Sequence, residues 1–236
     1  MGANLDFNQL YVIELDLCLG LFYVKPDNAE KIPIDELNGY RFGEFPNGKP
    51  EKFIQMPSTA ETKKGLILNG YANFHLFHKR LIEAFKESGF TGWSAYPVSL
   101  YCKNGDIDKD YYAFSITGKA GDYDISKSEI IDVKTYSTFC RIDRDYKGVY
   151  FDPATWDGSD FFKTSYVTVV TEPVMKVIKG FDLKVNIFKA TEYILELEHI
   201  HFREDKLSWW AKYGFDIPST AYLLYAVLDF YHLIFC

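Results

Sequence analysis

A segment that occurs in rough duplicate sets the first limit on the fold: apolar residues at helical spacing, a Gly-Phe stop, then an extended aromatic run. The first copy, HLFHKRLIEAFKESGFTGWSAYPV, runs from His75 to Val98, and the second, TEPVMKVIKGFDLKVNIFKA, from Thr171 to Ala190. Phe77, Leu81, Ala84 and Phe85 in the first, and Val174, Val177 and Ile178 in the second, recur three and four residues apart. That spacing predicts helices buried along one face. Gly89 and Gly180 are read as the stops, because a glycine takes the left-handed conformation that ends a helix without steric cost. Thr171 is the expected cap of the second helix, with Pro173 in its opening turn. Helices that alternate with strand-like runs predict an α+β fold, a mixed or antiparallel sheet with a few helices, compatible with two related strand-helix-strand halves.

The strand readings elsewhere are shorter. Leu10 to Val24 suits one or two strands, Leu66 to Leu68 one, Trp93 to Cys102 one with Pro97 at an edge or bulge, and Asp110 to Gly118 another. Between Lys25 and Lys64 five prolines and two Asn-Gly turns (Asn38-Gly39 and Asn47-Gly48) predict irregular chain. VKTYSTFCRI, from Val133, alternates as strands do, and Phe181 to Leu197 starts extended. No stretch reads as a flexible linker, which favours a single domain over residues 1–236, with any two halves meeting near residue 130.

Charge and composition narrow the function classes. The net charge of −7 argues against nucleic acid and against an anionic membrane surface, both of which call for a basic footprint, and favours a basic protein partner. Acidic residues crowd the stretch from Asp106 to Asp132, which reads as a solvated face. An aromatic share of 18% exceeds what a core alone requires and leaves aromatic residues for a binding surface. Cys18, Cys102, Cys140 and Cys236 form no CxxC pair, which suits a reducing compartment and a cytoplasmic protein. The apolar N-terminal run is broken by Glu14 and Asp16 and reads as strand, not signal peptide. AYLLYAVLDFYHLIFC, which closes the chain, carries Asp229 and His232, is too short to span a bilayer comfortably, and reads as a buried or partner-binding helix.

Catalytic signatures are missing: no phosphate-cradling glycine loop, no dinucleotide fingerprint, no zinc-protease or serine-elbow motif. Asp106, Asp108 and Asp110 begin like a calcium loop, but Tyr111 and Thr117 occupy the positions that need glycine and a bidentate carboxylate. His75 and His78 stand one turn apart on the predicted helix, without an acidic or sulfur ligand nearby in sequence, and read as surface or boundary residues. His199 and His201 would share a strand face. Cys140, beside Arg141, reads as a buried structural cysteine. The sequence therefore predicts no catalytic residue, no metal ligand and no cofactor. The candidate contact residues are Trp156, Asp157 and Asp160, an acidic-aromatic turn, and Trp209 and Trp210, the densest aromatic cluster, since tryptophan buries large area at little entropic cost. The same tryptophan pair also suits a packed interior.

Three of these segments stand in a recognisable order. GFTGWSAYPV, Gly89 to Val98, gives a Gly-x-x-Gly-aromatic run; YYAFSITGKAGDYDISKSE, Tyr111 to Glu129, gives a strand and then an Asp-x-x-x-Ser turn at Asp124 and Ser128; GSDFFKTSYVTVVTEPVMKVIKGF, Gly158 to Phe181, gives Ser-Asp-aromatic-Phe, a strand and a helix. Together they resemble the eleventh immunity-protein class of bacterial polymorphic toxin systems, over about Leu66 to Ala190. The second copy departs from the first at Leu183 and Lys184, where the first has Thr91 and Gly92. The resemblance implies a cytoplasmic protein that binds and neutralises a cognate toxin, and it brings no catalytic residues with it. The alternative from the residues alone is a metal-dependent enzyme or small-molecule sensor with a pocket between the halves, using His75, His78, His199 or His201. An oligomeric scaffold joined through the apolar tail is a third.

Overall fold

The computed structural model describes residues 5–15, 22–56, 64–70, 74–134, 142–165, 167–181, 183 and 185–195. The chain divides into two compact units, one holding the described residues up to 129 and from 147 to 194, the other holding 130–134, 142–146 and 195. The elements are β1 (Leu10–Glu14), β2 (Tyr23–Pro26), α1 (Ile34–Tyr40), β3 (Lys52–Gln55), β4 (Ile67–Gly70), β5 (His75–His78), α2 (Lys79–Glu87), β6 (Trp93–Pro97), β7 (Ser99–Tyr101), β8 (Ile107–Asp108), β9 (Tyr111–Ile116) and β10 (Gly118–Lys119). They continue as β11 (Glu129–Lys134), β12 (Ile142–Lys147), β13 (Phe161–Thr164), β14 (Val167–Thr171), α3 (Glu172–Gly180), β15 (Asn186–Lys189) and β16 (Ile194–Leu195). The fold is α+β, with mixed sheets as the helix-strand alternation predicts.

Eight strands form one sheet in the order β6-β9-β5-β4-β2-β3-β7-β8, and five form another in the order β10-β13-β14-β1-β15. The connections show why the larger sheet curls into a half-barrel. Val98 alone separates β6 from β7, yet β6 is at one end of the sheet and β7 is next to the other end. One residue spans at most about 3.6 Å, so the two ends must approach each other. Val98 N–H continues the β6–β9 ladder by donating to Tyr111 O at 3.1 Å, and the next residue, Ser99, donates to Glu51 O beside β3 at 2.8 Å. The predicted single strand from Trp93 to Cys102 is therefore two strands in different places, with Pro97 on the edge strand, where its missing N–H costs nothing.

Period-two alternation sorts side chains to the two faces of this sheet. Inside the curl, Val24, Phe53, Leu68, Leu76, Leu100 and Ala113 pack with Leu37 and Tyr40 of α1. Outside it, Ile67, Phe77, Phe114 and Ile116 pack against Leu81, Ile82 and Phe85 of α2, Val174, Met175 and Ile178 of α3, and Ile13, Phe161 and Val170 of the five-stranded sheet. Phe85 is fully buried, its ring 5.0 Å from Phe161 and 5.9 Å from Trp93.

The two sequence copies have the same topology. β5 and β6 both pair antiparallel with β9, so α2 connects two strands that run parallel with a third between them. β14 and β15 both pair antiparallel with β1, and α3 connects them in the same way. Each copy is a split strand-helix-strand unit. Three readings need correction at this level. His75 to His78 is strand, not the first turn of the helix, because β5 is hydrogen-bonded to β4 and β9 on its two sides and buries Leu76 on one face and Phe77 on the other. Helix α2 starts only at Lys79. Gly89 has the left-handed φ of +70° expected after a helix, whereas Gly180 is itself the last residue of α3 and is not left-handed. The proline-rich stretch between Lys25 and Lys64 is not wholly irregular: its prolines keep elements short without removing them, leaving α1 and β3.

Among the described residues no helix is long and apolar enough to cross a membrane. The apolar closing segment, Cys18, Cys140 and Cys236 lie outside the described residues.

Candidate functional site

The turn that precedes β13 builds a corner from three distant segments. Asp152 accepts the Ala154 N–H at 3.0 Å and starts a short 3-10 turn over Pro153–Thr155. The chain then reaches Asp157, whose Oδ1 accepts the Ser159 N–H at 3.0 Å and the Ser159 hydroxyl at 2.5 Å, and whose Oδ2 accepts the Lys119 N–H at 2.9 Å. The Asp157 N–H donates back to Lys119 O at 3.1 Å, so the turn is tied to β10 in both directions. Burial pushes the Asp157 carboxyl up, but the bonds from Ser159 and Lys119 outweigh it and hold the group below the usual aspartate value.

Asp160 joins the two split units. Its Oδ2 accepts both the N–H (2.9 Å) and the hydroxyl (3.0 Å) of Thr91, in the turn between α2 and β6, and its Oδ1 accepts the hydroxyl of Thr171 at 3.0 Å. Thr171 sits at the N-cap position of α3, as its sequence context predicts, but its side chain serves Asp160 and makes no cap bond to the helix. Main-chain bonds complete the junction: Phe161 N–H to Thr91 O (3.0 Å), and Thr117 and Gly118 N–H to Gly92 O (2.9 and 3.0 Å).

Two glycines make this approach possible. A Cβ on Gly92, whose φ is +80°, would lie 2.0 Å from Phe161 O, and a Cβ on Gly118 would lie 2.0 Å from Ser159 Oγ. No side chain fits at either position. Sequence reasoning picked out Asp157 and Asp160 as contact residues without seeing Thr91, Gly92, Gly118 or Ser159, which hold them. The only available signal was that all four lie inside the segments that carry the family resemblance.

Trp156 is half-buried at this corner, with its indole N–H donating to Ser159 O at 3.1 Å and its ring 5.5 Å from Phe162. Asp152 and Asp157 are exposed beside it. The structure thus brings Trp156, Asp157 and Asp160 together; Trp209 and Trp210 lie outside the described residues. The arrangement is that of a rigid, acidic, aromatic-edged surface, in which each carboxylate also braces the fold.

The histidines do not form the arrangement expected of them. His75 is buried on a central strand, with only 7% of its surface exposed, and is not a surface or boundary residue. His78 Nδ1 accepts the Arg80 N–H at 3.2 Å and caps α2. Three residues apart on a strand, the two point to opposite faces and cannot share an ion. His199 and His201 lie outside the described residues. Among the described residues no three His, Cys, Asp or Glu side chains gather as metal ligands. The acidic stretch is partly neutralised: Asp108 pairs with Lys64, Asp110 with Lys79 at 2.8 Å, and Asp124 with Lys127 at 2.7 Å. The Cys102 thiol is pushed up by burial, opposite to what a nucleophile needs.

Compared with models of known protein families and with curated protein sequences, the chain matches none.

Proposed function

We propose that the chain is a cytoplasmic immunity-type protein of the eleventh class, which neutralises a cognate bacterial toxin by direct protein contact and acts by binding, not catalysis. The observation that supports this reading is the corner itself. The three segments whose order resembles that family meet there in one hydrogen-bonded junction, through Thr91 and Gly92, Gly118 and Lys119, and Asp157 to Phe161. The face presented beside them, Trp156 with Asp152 and Asp157, combines an aromatic anchor with negative charge, as a basic toxin domain requires.

The test is protection. A toxin domain captured by the tagged chain from a bacterial lysate is expressed with and without the chain, and growth is followed. Rescue by the parent and reduced rescue by Trp156→Ala, with the variant still folded at the growth temperature, is the expected result. Growth arrest in the presence of well-expressed chain ends the reading.

A further inference from the structure

At the β10 end of the five-stranded sheet, on the face that carries Phe161 and Val170, two lysines meet. β10 and β13 run parallel with Lys119 in direct register with Lys163, so the two lysines stand side by side on adjacent strands. Like charges in that arrangement repel. The loop after α1 adds a third cation. Its Arg41 carbonyl accepts the Ile116 N–H at 2.8 Å, which fixes Phe42 over the sheet. Lys163 Nζ lies 3.7 Å from the centroid of the Phe42 ring, and Arg41 Cζ lies 4.7 Å from the same centroid.

Several lysines of this unit meet a carboxylate, as Lys25 does with Glu30 and Lys52 with Asp27. Lys119 and Lys163 do not: among the described residues neither is in an ion pair. Burial holds the Lys163 ammonium below the usual lysine value; Glu44 acts in the opposite direction, and Lys119 and Arg41 add to the lowering. Half-burying a lysine against two like charges is unfavourable unless something compensates it.

We propose that Lys119 and Lys163, with Arg41 and Phe42 beside them, form a binding site for a phosphate group. A tetrahedral anion, with oxygens on several sides, can meet a loop arginine and two strand lysines at once better than a planar carboxylate can. The Phe42 ring excludes water from one side of Lys163 and so strengthens its attraction for the anion. The site is separate from the Trp156 corner in its chemistry and does not depend on the toxin reading.

The test uses the full chain and titrates inorganic phosphate and glycerol phosphate at constant ionic strength, following the lysine Hε/Cε signals by NMR. Saturable binding with a Kd of about 1 mM or tighter is expected, centred on Lys163. Lys119→Gln and Lys163→Gln should each weaken it by about tenfold or more, and Glu44→Gln should tighten it. Lys86→Gln, exposed on α2 over Tyr112 and away from the site, should leave it unchanged. Tighter binding of glycerol phosphate identifies an esterified phosphate as the ligand, and equal binding a free one. Should Lys163→Gln fail to fold, Lys119→Gln, at the exposed sheet edge, decides. The proposal is overturned if the Lys163 signals do not saturate, if the saturating response maps elsewhere, or if Lys119→Gln binds phosphate as the parent does.

Discussion

Replacing Asp160 with alanine tests the corner at its most connected point. The carboxylate accepts three hydrogen bonds of 2.9 to 3.0 Å, two from Thr91 and one from Thr171. A hydrogen bond to a charged group contributes about 1.5–3 kcal/mol when its partners are sheltered. Here the residue is only half-buried, and Thr91 is exposed, so water reclaims the freed N–H and hydroxyl and the three contributions do not simply add. The expected loss is about 2–4 kcal/mol. With a urea dependence of about 2–3 kcal/mol per molar, the unfolding midpoint should fall by about 1 M. The slope should not change, since the native core is untouched. Asp160→Asn keeps one acceptor and should lose about half as much. A double-mutant cycle with Thr171→Val adds the specific check, because the pair shares one bond and the combined loss should fall short of the sum by about 1 kcal/mol. A midpoint within about 0.2 M of the parent, or strict additivity with Thr171→Val, would refute the claim that this carboxylate braces the two split units. The same variant separates bracing from contact: binding lost with full stability retained would make Asp160 a contact residue.

Gly92→Ala puts a Cβ 2.0 Å from Phe161 O at a φ of +80° and should cost more than about 3 kcal/mol, whereas Gly48→Ala, at a φ of +96° with open space around it, should cost only about 1 kcal/mol; thermal unfolding of the two separates clash from backbone strain. Phe85→Ala removes a fully buried ring between α2 and both sheets and should lose about 3–5 kcal/mol, read from the urea midpoint. The Lys64–Asp108 pair predicts a pH dependence. Burial raises the Asp108 carboxyl, but the Lys64 and Asp110 N–H bonds outweigh it, so its folded value is below the unfolded one. Its contribution is complete above the unfolded aspartate value and is lost as pH falls through the folded one, so Asp108→Asn should be less stable than the parent by about 1 kcal/mol at pH 7 and converge with it in strong acid. If the acidic corner steers a basic toxin, the association rate should drop steeply with salt in stopped-flow measurements, and a rate indifferent to ionic strength would remove steering from the mechanism.

Local physics was legible in the sequence, and long-range pairing was not. The buried faces of α2 and α3 follow from Leu81 and Phe85, and from Val174 and Ile178, because helical spacing is a property of neighbours. His75 to His78 misled for the same reason: a strand covered on both faces loses the alternation that would mark it, and Phe77 happens to continue the helical spacing of Leu81. The curl could not be read at all. Trp93 to Cys102 looks like one strand, and only the pairing of β6 with β9 and of β7 with β3 reveals that the chain changes sides at Val98. Asp157 and Asp160 were visible as acidic turn residues, but the partners that define their role, Lys119 and Thr91, lie 38 and 69 residues away. Nothing in the sequence pairs Lys119 with Lys163, since their juxtaposition exists only in the register of β10 with β13.

The corner bears on how motif and function relate in this chain. Gly92 and Gly118 are excluded from binding by the fact that nothing fits where a side chain would be, and Ser159 is buried. Thr91, Asp160 and Thr171 use their side-chain oxygens on one another. Residues so engaged hold the shape of the corner whatever binds beside it. On the reading proposed here, choice of toxin then falls to groups at the surface of that shape, half-buried Trp156 and exposed Asp152, and to surface acids such as Asp122 and Glu129. Exchanging Asp122 and Glu129 should change which toxin is bound and leave stability within about 0.5 kcal/mol. Exchanging the braced ones should lower stability and weaken every partner alike.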